Sequence, residues 1–176
     1  MNSLKRLYNW TLDKANHKNA KWYLSLISFA ESSFFPIPPD LLLIPMALAS
    51  KTKAIFYAFI CTFSSVLGGI LGYAIGYYFY NTLGVYIVEF YHLENSFSVF
   101  EDYYKEFGIL IVLGAGITPF PYKFITIASG VFGLNIFLFI IISIVGRGLR
   151  FYLIAILLYF FGEKIKLIID KYFNIL

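Results

Sequence analysis

Five ionisable side chains lie inside apolar stretches of this sequence, two of them acids and three of them bases. They are Glu31, Asp40, Lys123, Arg147 and Arg150. A charge at the centre of a bilayer costs about 2.5–3.5 kcal/mol on insertion scales, so these groups should face one another or a polar cavity. Arginine pairs bidentately with phosphate, and lysine adds a point charge. We therefore predict that Arg147, Arg150 and Lys123 bind phosphate.

The two acids, Glu31 and Asp40, are predicted to carry protons or to gate the site. Burial disfavours the charged form of a carboxyl group, so either acid could exchange a proton when a substrate binds. Three cations against two carboxylates leave one net positive charge, which fits a phosphate-bearing headgroup. The alternative is an ion-pair network that serves stability alone.

The elements that position these groups are predicted to be membrane helices. The chain has 176 residues, of which 60% are hydrophobic and 14% are charged, whereas soluble domains average about 45–50% and 25%. Residues 54–88 and 124–146 carry no charge, over 35 and 23 residues, and about 20 apolar residues suffice to cross a bilayer. Alternating barrel-type segments are absent, so we expect helical spans.

The first acidic stretch, "ESSFFPIPPDLLLIP", is predicted to be a re-entrant hairpin. Its apolar arms, Tyr23–Ala30 and Leu41–Ser50, would reach about 12–15 Å as helices, half of a bilayer. The tip would contain Pro36, Pro38, Pro39 and both acids, lining a wet cavity or buried in protein. A single kinked spanning helix is the alternative.

A second proline stretch, "GAGITPFPYKFITIASG", echoes the first and places Lys123 beside Pro119 and Pro121. Each stretch precedes a long apolar helix, residues 54–80 and 134–162. A hairpin followed by a span, repeated, is typical of transporters. The predicted fold is therefore an all-α membrane protein with two re-entrant proline hairpins in an inverted repeat.

Two further patterns concern packing and the surface. Gly68, Gly72 and Gly76 form a stripe at four-residue spacing that lets another helix approach closely, which we interpret as plain packing. Residues 94–107 are predicted to form an acidic surface helix that Gly108 ends.

The charges at the ends predict the topology. With both termini cytoplasmic, residues 1–20 form an amphipathic basic helix at the membrane surface, although an ordinary solvated leader is the alternative. Residues 163–176 form a basic cytoplasmic tail. The inside then carries ten bases against one, Lys105, in the outer segment 81–107, as the positive-inside rule requires. The ten are Lys5, Arg6, Lys14, Lys18, Lys21, Lys51, Lys53, Lys164, Lys166 and Lys171.

Several function classes lack their signatures. His17 and His92 stand apart without metal-ligand spacing, and Cys61 has no partner for a disulfide. There is no nucleophile–base pairing, P-loop or dinucleotide fingerprint. We expect no enzyme activity, no cofactor, no metal and no nucleic-acid partner. Homo-oligomer formation is left open.

The stretch from Lys21 to Gly162 resembles the DedA family, whose core is called the VTT or SNARE-associated Golgi-like domain, and within it the YqaA-like branch. "ESSFFPIPPD" resembles the family's acidic hairpin motif, with Glu31 and Asp40 on its acidic positions. "GGILGYAIGY" and "ITPFPYKF…SG" resemble its glycine-rich span and second hairpin. The second hairpin departs from the family pattern: Gly116 stands where the family has its upstream arginine, and Lys123 lies one residue late.

The resemblance implies two facing re-entrant hairpins in the bacterial inner membrane. It also implies flipping or scrambling of lipids, either undecaprenyl phosphate or phospholipids. The predicted function is an inner-membrane transporter of a phosphate-headed lipid, with proton coupling as an option. The rival predictions are a proton or cation antiporter and a membrane scaffold that transports nothing.

Overall fold

The computed structural model describes residues 19–35, 37–92 and 94–175, with the side chains of these ranges except residues 96 and 163–175. The described chain is helical and contains no β-strand. The helices are α1 (Ala20–Ser33), α2 (Asp40–Ala49), α3 (Ala54–Phe79), α4 (Val85–Phe90), α5 (Glu94–Ile117), α6 (Tyr122–Val131) and α7 (Ile136–Ile175). The predicted helix in residues 1–20, apart from its last two residues, and the predicted hairpin-tip residue Pro36 lie outside the described residues.

Two of the described helical stretches are long and apolar enough to cross a membrane. They are Lys51–Phe90, which includes α3, a π-helical turn at Tyr80–Gly84 and α4, and Ile136–Gly162 in α7. The all-helical class with membrane-length helices is thus confirmed at this level. Residues 134–162 had been predicted to join into one helix, and α7 does run without a break from Ile136 through the arginines to Ile175.

The two long helices α3 and α7 pack antiparallel. Along α3, Gly69 lies beside Phe139, Ser65 beside Arg147 and Thr62 beside Gly148. Residue numbers therefore rise on one helix as they fall on the other. This pair forms the centre of the fold, against which the shorter helices pack.

Two non-helical breaks interrupt the remaining helices, the first between α1 and α2 and the second between α5 and α6. Proline N-caps the helix after each break, Pro39 before α2 and Pro121 before α6. Proline fixes φ and has no N–H, so it fits the start of a helix and resists its interior. The first stretch therefore consists of two separate helices, α1 and α2, joined by a non-helical segment.

The direction of each short helix follows from its contacts. Leu48 of α2 approaches Gly162 of α7, and Trp22 of α1 lines one pocket with Phe59 of α3, so the outer ends of α1 and α2 lie toward the same end of the α3–α7 pair. The helices on either side of the second break, α5 and α6, have their outer parts toward the opposite end, where Leu134 approaches Gly108 of α5. Both breaks therefore lie toward the middle of the molecule.

The glycine stripe of α3 lies where two short helices come closest. A Cβ added at Gly68 would lie 2.1 Å from the carbonyl oxygen of Phe29 in α1. One added at Gly76 would lie 2.0 Å from the carbonyl oxygen of Ile127 in α6, and one at Gly72 only 2.3 Å from Thr126 Oγ1. Any side chain larger than hydrogen would push α1 or α6 off α3.

The acidic helix was predicted to end at Gly108, and this prediction is wrong because α5 continues to Ile117. A single glycine inside a helix costs only about 1 kcal/mol. Gly108 also packs closely, since a Cβ there would lie 3.1 Å from Tyr104 and 3.2 Å from Leu134. Upstream of it, Phe97 stacks on Tyr80 with ring centroids 4.7 Å apart.

Among the described residues, many polar side chains are buried and many large apolar side chains are exposed. Glu31, Arg147 and nine serines and threonines of the described chain are buried, whereas large apolar side chains along α3 and α7 are exposed. Exposed examples are Phe56, Phe59, Phe63, Phe137, Ile141, Leu153 and Phe160. An apolar surface of this size requires an apolar surrounding or partner.

Candidate functional site

Arg147 lies at the centre of the site, on the face of α7 that meets α3. Its side chain is only 1% exposed. The guanidinium donates from Nη2 to Glu31 Oε2 at 2.5 Å and from Nε to Ser65 Oγ at 2.6 Å. A buried ion pair needs such additional hydrogen bonds to offset the loss of hydration.

Two serine hydroxyls close this pair into a ring of hydrogen bonds. Ser32 Oγ donates to Glu31 Oε2 at 3.1 Å and lies 2.6 Å from Ser65 Oγ. Since Ser32 has one hydroxyl proton and Arg147 can only donate, Ser65 must donate to Ser32. The ring thus links α1, α3 and α7.

Residues of α6 complete the surroundings of the Arg147–Glu31 pair. The backbone N–H of Tyr122 donates to Glu31 Oε1 at 3.3 Å. The guanidinium of Arg147 lies over the rings of Tyr122 and Phe151, 5.0 and 4.7 Å from their centroids, a favourable cation–π geometry. The Tyr122 hydroxyl in turn pairs with Ser143 Oγ at 2.7 Å.

Arg150, almost one helical turn further along α7, connects the two breaks. Its Nη2 donates to Asp40 Oδ2, in the first residue of α2, and its Nη1 donates to the carbonyl oxygen of Thr118, just after α5. The Arg150 and Asp40 side chains are 12% and 18% exposed. Asp40 Oδ1 is buried and has no hydrogen-bond partner within the described part of the chain.

Lys123, the third predicted cation, lies at the start of α6. It is partly buried, and its ammonium lies 5.2 Å from the centroid of the Phe124 ring. None of the carboxylates in the described ranges forms an ion pair with it. The structure thus brings the four other charges together as two ion pairs and leaves Lys123 outside those pairs.

The predicted hairpin-tip prolines differ in exposure. Pro39 is buried next to Asp40, whereas Pro38, Pro119 and Pro121 are exposed. Both breaks therefore present a partly open surface beside the Arg150–Asp40 pair. Among the described residues, no group of three or more His, Cys, Asp or Glu side chains could hold a metal ion.

Several hydroxyl groups that join α1 to α3, two of which also contact the Arg147–Glu31 pair, were not among the predicted site residues. Ser25 pairs with Ser64 at 2.7 Å, Ser28 donates to the carbonyl oxygen of Cys61 at 2.7 Å, and Ser32 pairs with Ser65. The spacing of residues 25, 28 and 32 in an otherwise apolar helix was the available signal, because it places three hydroxyls on one face. No sequence pattern indicated that Tyr122 would contact Arg147 and Glu31.

The site contains two guanidinium groups and an ammonium in a largely buried setting, and such groups pair with carboxylate or phosphate oxygens in proteins. Both guanidinium groups are paired with carboxylates in this structure, so an incoming anion would have to displace one of them. The described residues around the pairs supply hydroxyls, aromatic rings and carbonyls.

Comparison with known proteins identifies bacterial relatives. No protein-family model matches the sequence, and no solved structure is significantly similar to it. A protein of Haemophilus influenzae named "Uncharacterized protein" is 39% identical over 158 residues, which cover 90% of this chain and 82% of the relative. The "Uncharacterized protein HI0703 homolog" of Histophilus somni is 38% identical over 161 residues, with the same coverage. The chain belongs to the same protein family as these two bacterial proteins.

Proposed function

We propose that this protein is a multi-pass transporter of the bacterial inner membrane that moves a phosphate-headed lipid between leaflets. One observation carries the proposal: two arginine–carboxylate pairs lie where two helix breaks meet, near the middle of two membrane-length helices. Charges at that depth are costly and usually mark a substrate or ion pathway. The exposed apolar side chains of α3 and α7 fit contact with lipid.

Two re-entrant hairpins related by an inverted repeat account for the helix packing. In the first half, α1 and α2 precede the long helix α3, and in the second half, α5 and α6 precede the long helix α7. These two pairs of short helices start from opposite ends of the α3–α7 pair. The first arm of each pair packs on the long helix of its own half, α1 on α3 and α5 on α7. The second arms also contact the long helix of the other half, α6 on α3 and α2 on α7. Inverted repeats of this kind form midplane sites in many transporters.

The DedA resemblance supports the same proposal, and the packing at Gly116 accounts for its main departure. A Cβ at Gly116 would lie 3.1 Å from the backbone of Gly146, so a long side chain could be accommodated there only if α5 and α7 moved apart. The residue after Gly146 is Arg147. We propose that Arg147 and Arg150 of α7 supply the positive charge that the family carries in its second hairpin.

In the proposed mechanism, the headgroup phosphate competes with a carboxylate for an arginine. Arginine presents planar donors that fit two phosphate oxygens. The carboxylate that is displaced loses its cation and takes up a proton, which couples transport to the proton gradient. Lys123, which is outside the two ion pairs, adds attraction for the anion at the second break.

A liposome assay tests the proposal. Purified protein is reconstituted with labelled undecaprenyl phosphate or a labelled phospholipid, and movement between leaflets is followed with and without a pH gradient. We expect movement with the wild type, loss with Arg147→Ala, and no effect of Lys105→Ala, an exposed lysine paired only with Glu101 on α5. If neither lipid moves with folded wild-type protein, the proposal is wrong.

A membrane scaffold is the second candidate, because both carboxylates already have arginine partners. A scaffold needs the charges only for stability. Arg150→Lys keeps the charge and loses the planar donors, so it should abolish lipid movement if the protein is a transporter. A scaffold would keep its partners in that variant. Measuring lipid movement and thermal stability of the same variant separates the two candidates.

A further inference from the structure

We propose that the two ion pairs have different roles, with Arg147–Glu31 as a permanent clasp and Arg150–Asp40 as the gate that the substrate opens. The phosphate of the lipid displaces Asp40 and the Thr118 carbonyl from Arg150, while Arg147 keeps its partners. This inference rests on the proposed transport of a phosphate-headed lipid and assigns which arginine binds the phosphate.

The first argument is the difference between the two carboxylates. Glu31 accepts three hydrogen bonds, from Arg147, from Ser32 and from the backbone of Tyr122. Asp40 accepts one from Arg150, and its second oxygen is buried without a partner among the described residues. A buried acceptor that lacks a partner is costly. Opening the Arg150–Asp40 pair therefore costs less free energy than opening the Arg147–Glu31 pair, because fewer hydrogen bonds to the carboxylate are lost.

The second argument is the difference between the two arginines. Arg147 is 1% exposed, lies between two aromatic rings and donates to Ser65. Arg150 is 12% exposed. Both of its partners lie at the edges of the breaks, Asp40 at the first and Thr118 at the second.

The third argument is what must move when each pair opens. The partners of Arg147 are Glu31 of α1, Ser65 of α3 and Tyr122 of α6, so releasing it requires a shift of helices that are closely packed at Gly68 and Gly76. Releasing Arg150 requires a shift only at the edges of the two breaks, where Asp40 is the first residue of α2 and Thr118 follows the end of α5. Non-helical segments absorb such changes more readily than packed helices.

Opening the gate exposes the full guanidinium group of Arg150 to an incoming phosphate. A phosphate oxygen pair can replace the Asp40 carboxylate and the Thr118 carbonyl with the same donor geometry. Lys123, the second residue of α6 and just beyond the second break, lies outside the two ion pairs and adds positive charge there. The clasp meanwhile keeps α1, α3 and α7 assembled around the site.

The matched variants Glu31→Gln and Asp40→Asn test the inference. Each removes one carboxylate charge without changing size. We expect Glu31→Gln to lower the Tm in detergent by at least about 6 °C, since it leaves a buried arginine unpaired. Asp40→Asn should lower the Tm by less than half as much, because its pair is less buried and has fewer supporting bonds.

Binding of a soluble probe provides the second readout. Geranyl phosphate is titrated into the solubilised protein, with geraniol as the control that lacks phosphate. Asp40→Asn should bind geranyl phosphate about 5–10-fold more tightly than wild type, since one competitor for Arg150 is weakened. Arg150→Gln should lose this binding.

The outcomes separate the inference from the proposed function. Equal losses of Tm in Glu31→Gln and Asp40→Asn would overturn the division of roles. Wild-type binding that Asp40→Asn does not tighten, or that Arg150→Gln retains, would overturn the gate and leave phosphate-headed transport in place. If neither wild type nor Asp40→Asn prefers geranyl phosphate over geraniol, the proposed substrate is wrong, and the gate falls with it.

Discussion

Replacing Gly68 with alanine should disrupt the site without touching any charged residue. A Cβ at this position would lie 2.1 Å from the carbonyl oxygen and 2.8 Å from the carbonyl carbon of Phe29. Ordinary contact begins at 3.4 Å. These atoms belong to the backbone of α1 and cannot rotate away, so α1 must move off α3. Glu31 and Ser32 lie just after Phe29 and would move with it.

The free energy of unfolding should fall by an amount near the upper end of the range that is typical of overpacked interiors. Inserting one carbon into a well-packed interior costs about 1–3 kcal/mol. The upper value applies here because the obstacle is backbone, and it corresponds to a fall in Tm of about 6–12 °C for a chain of this size. The hydrogen bonds that join Ser32, Ser65, Glu31 and Arg147 into a ring should also lengthen, which removes part of the support for Arg147.

The matched control is Gly114→Ala in α5, because a Cβ there has no atom within 4 Å. Alanine favours a helix over glycine by up to about 1 kcal/mol, so this variant should be as stable as wild type or slightly more stable. Both variants are purified in the same detergent, and thermal unfolding is followed by intrinsic fluorescence. If Gly68→Ala unfolds at the same temperature as Gly114→Ala, the described approach of α1 to α3 is wrong.

Two further predictions concern Lys123 and Tyr104. Lys123→Gln should slow movement of a phosphate-headed lipid in liposomes several-fold and change the Tm by less than about 3 °C, because the ammonium contributes only a ring contact; unchanged movement would exclude it from the site. Burial raises the pKa of Tyr104 to about 12, above the usual value near 10. The neutral hydroxyl therefore contributes stability that is complete below pH 10 and is lost as the pH rises through 12. The Tm, measured between pH 9 and 12, should fall less steeply with pH in Tyr104→Phe than in wild type.

The helices and breaks could be predicted because they depend on local features of the sequence. Charge-free runs longer than a bilayer predict long helices, and clustered prolines predict where helices stop. The extent of α5 could not be predicted in this way. Gly108 resembles a helix end when read locally, but its packing against Tyr104 and Leu134 offsets the cost of a glycine inside the helix.

The identity of the ion-pair partners could not be predicted, because pairing depends on contacts between distant segments. The spacing of Ser143, Arg147 and Arg150 places them on one face of α7 without indicating what that face meets. Arg147 and Glu31 are 116 residues apart in sequence. Their contact requires α1 to lie against α3 at Gly68 and α7 to cross α3 at Ser65.

The crossing of α5 and α7 explains why two arginines on the same face have different surroundings. Gly146 and Gly116 bring these helices into backbone contact immediately before Arg147. The next residue is therefore enclosed by α1, α3 and α6, where Glu31 and Ser65 accept hydrogen bonds from its guanidinium and the Tyr122 ring lies against it. Arg150 follows almost one turn later, where α5 has ended and the chain is no longer helical, so its partners come from the two breaks. The position of one glycine pair thus determines which arginine is enclosed and which lies at the opening.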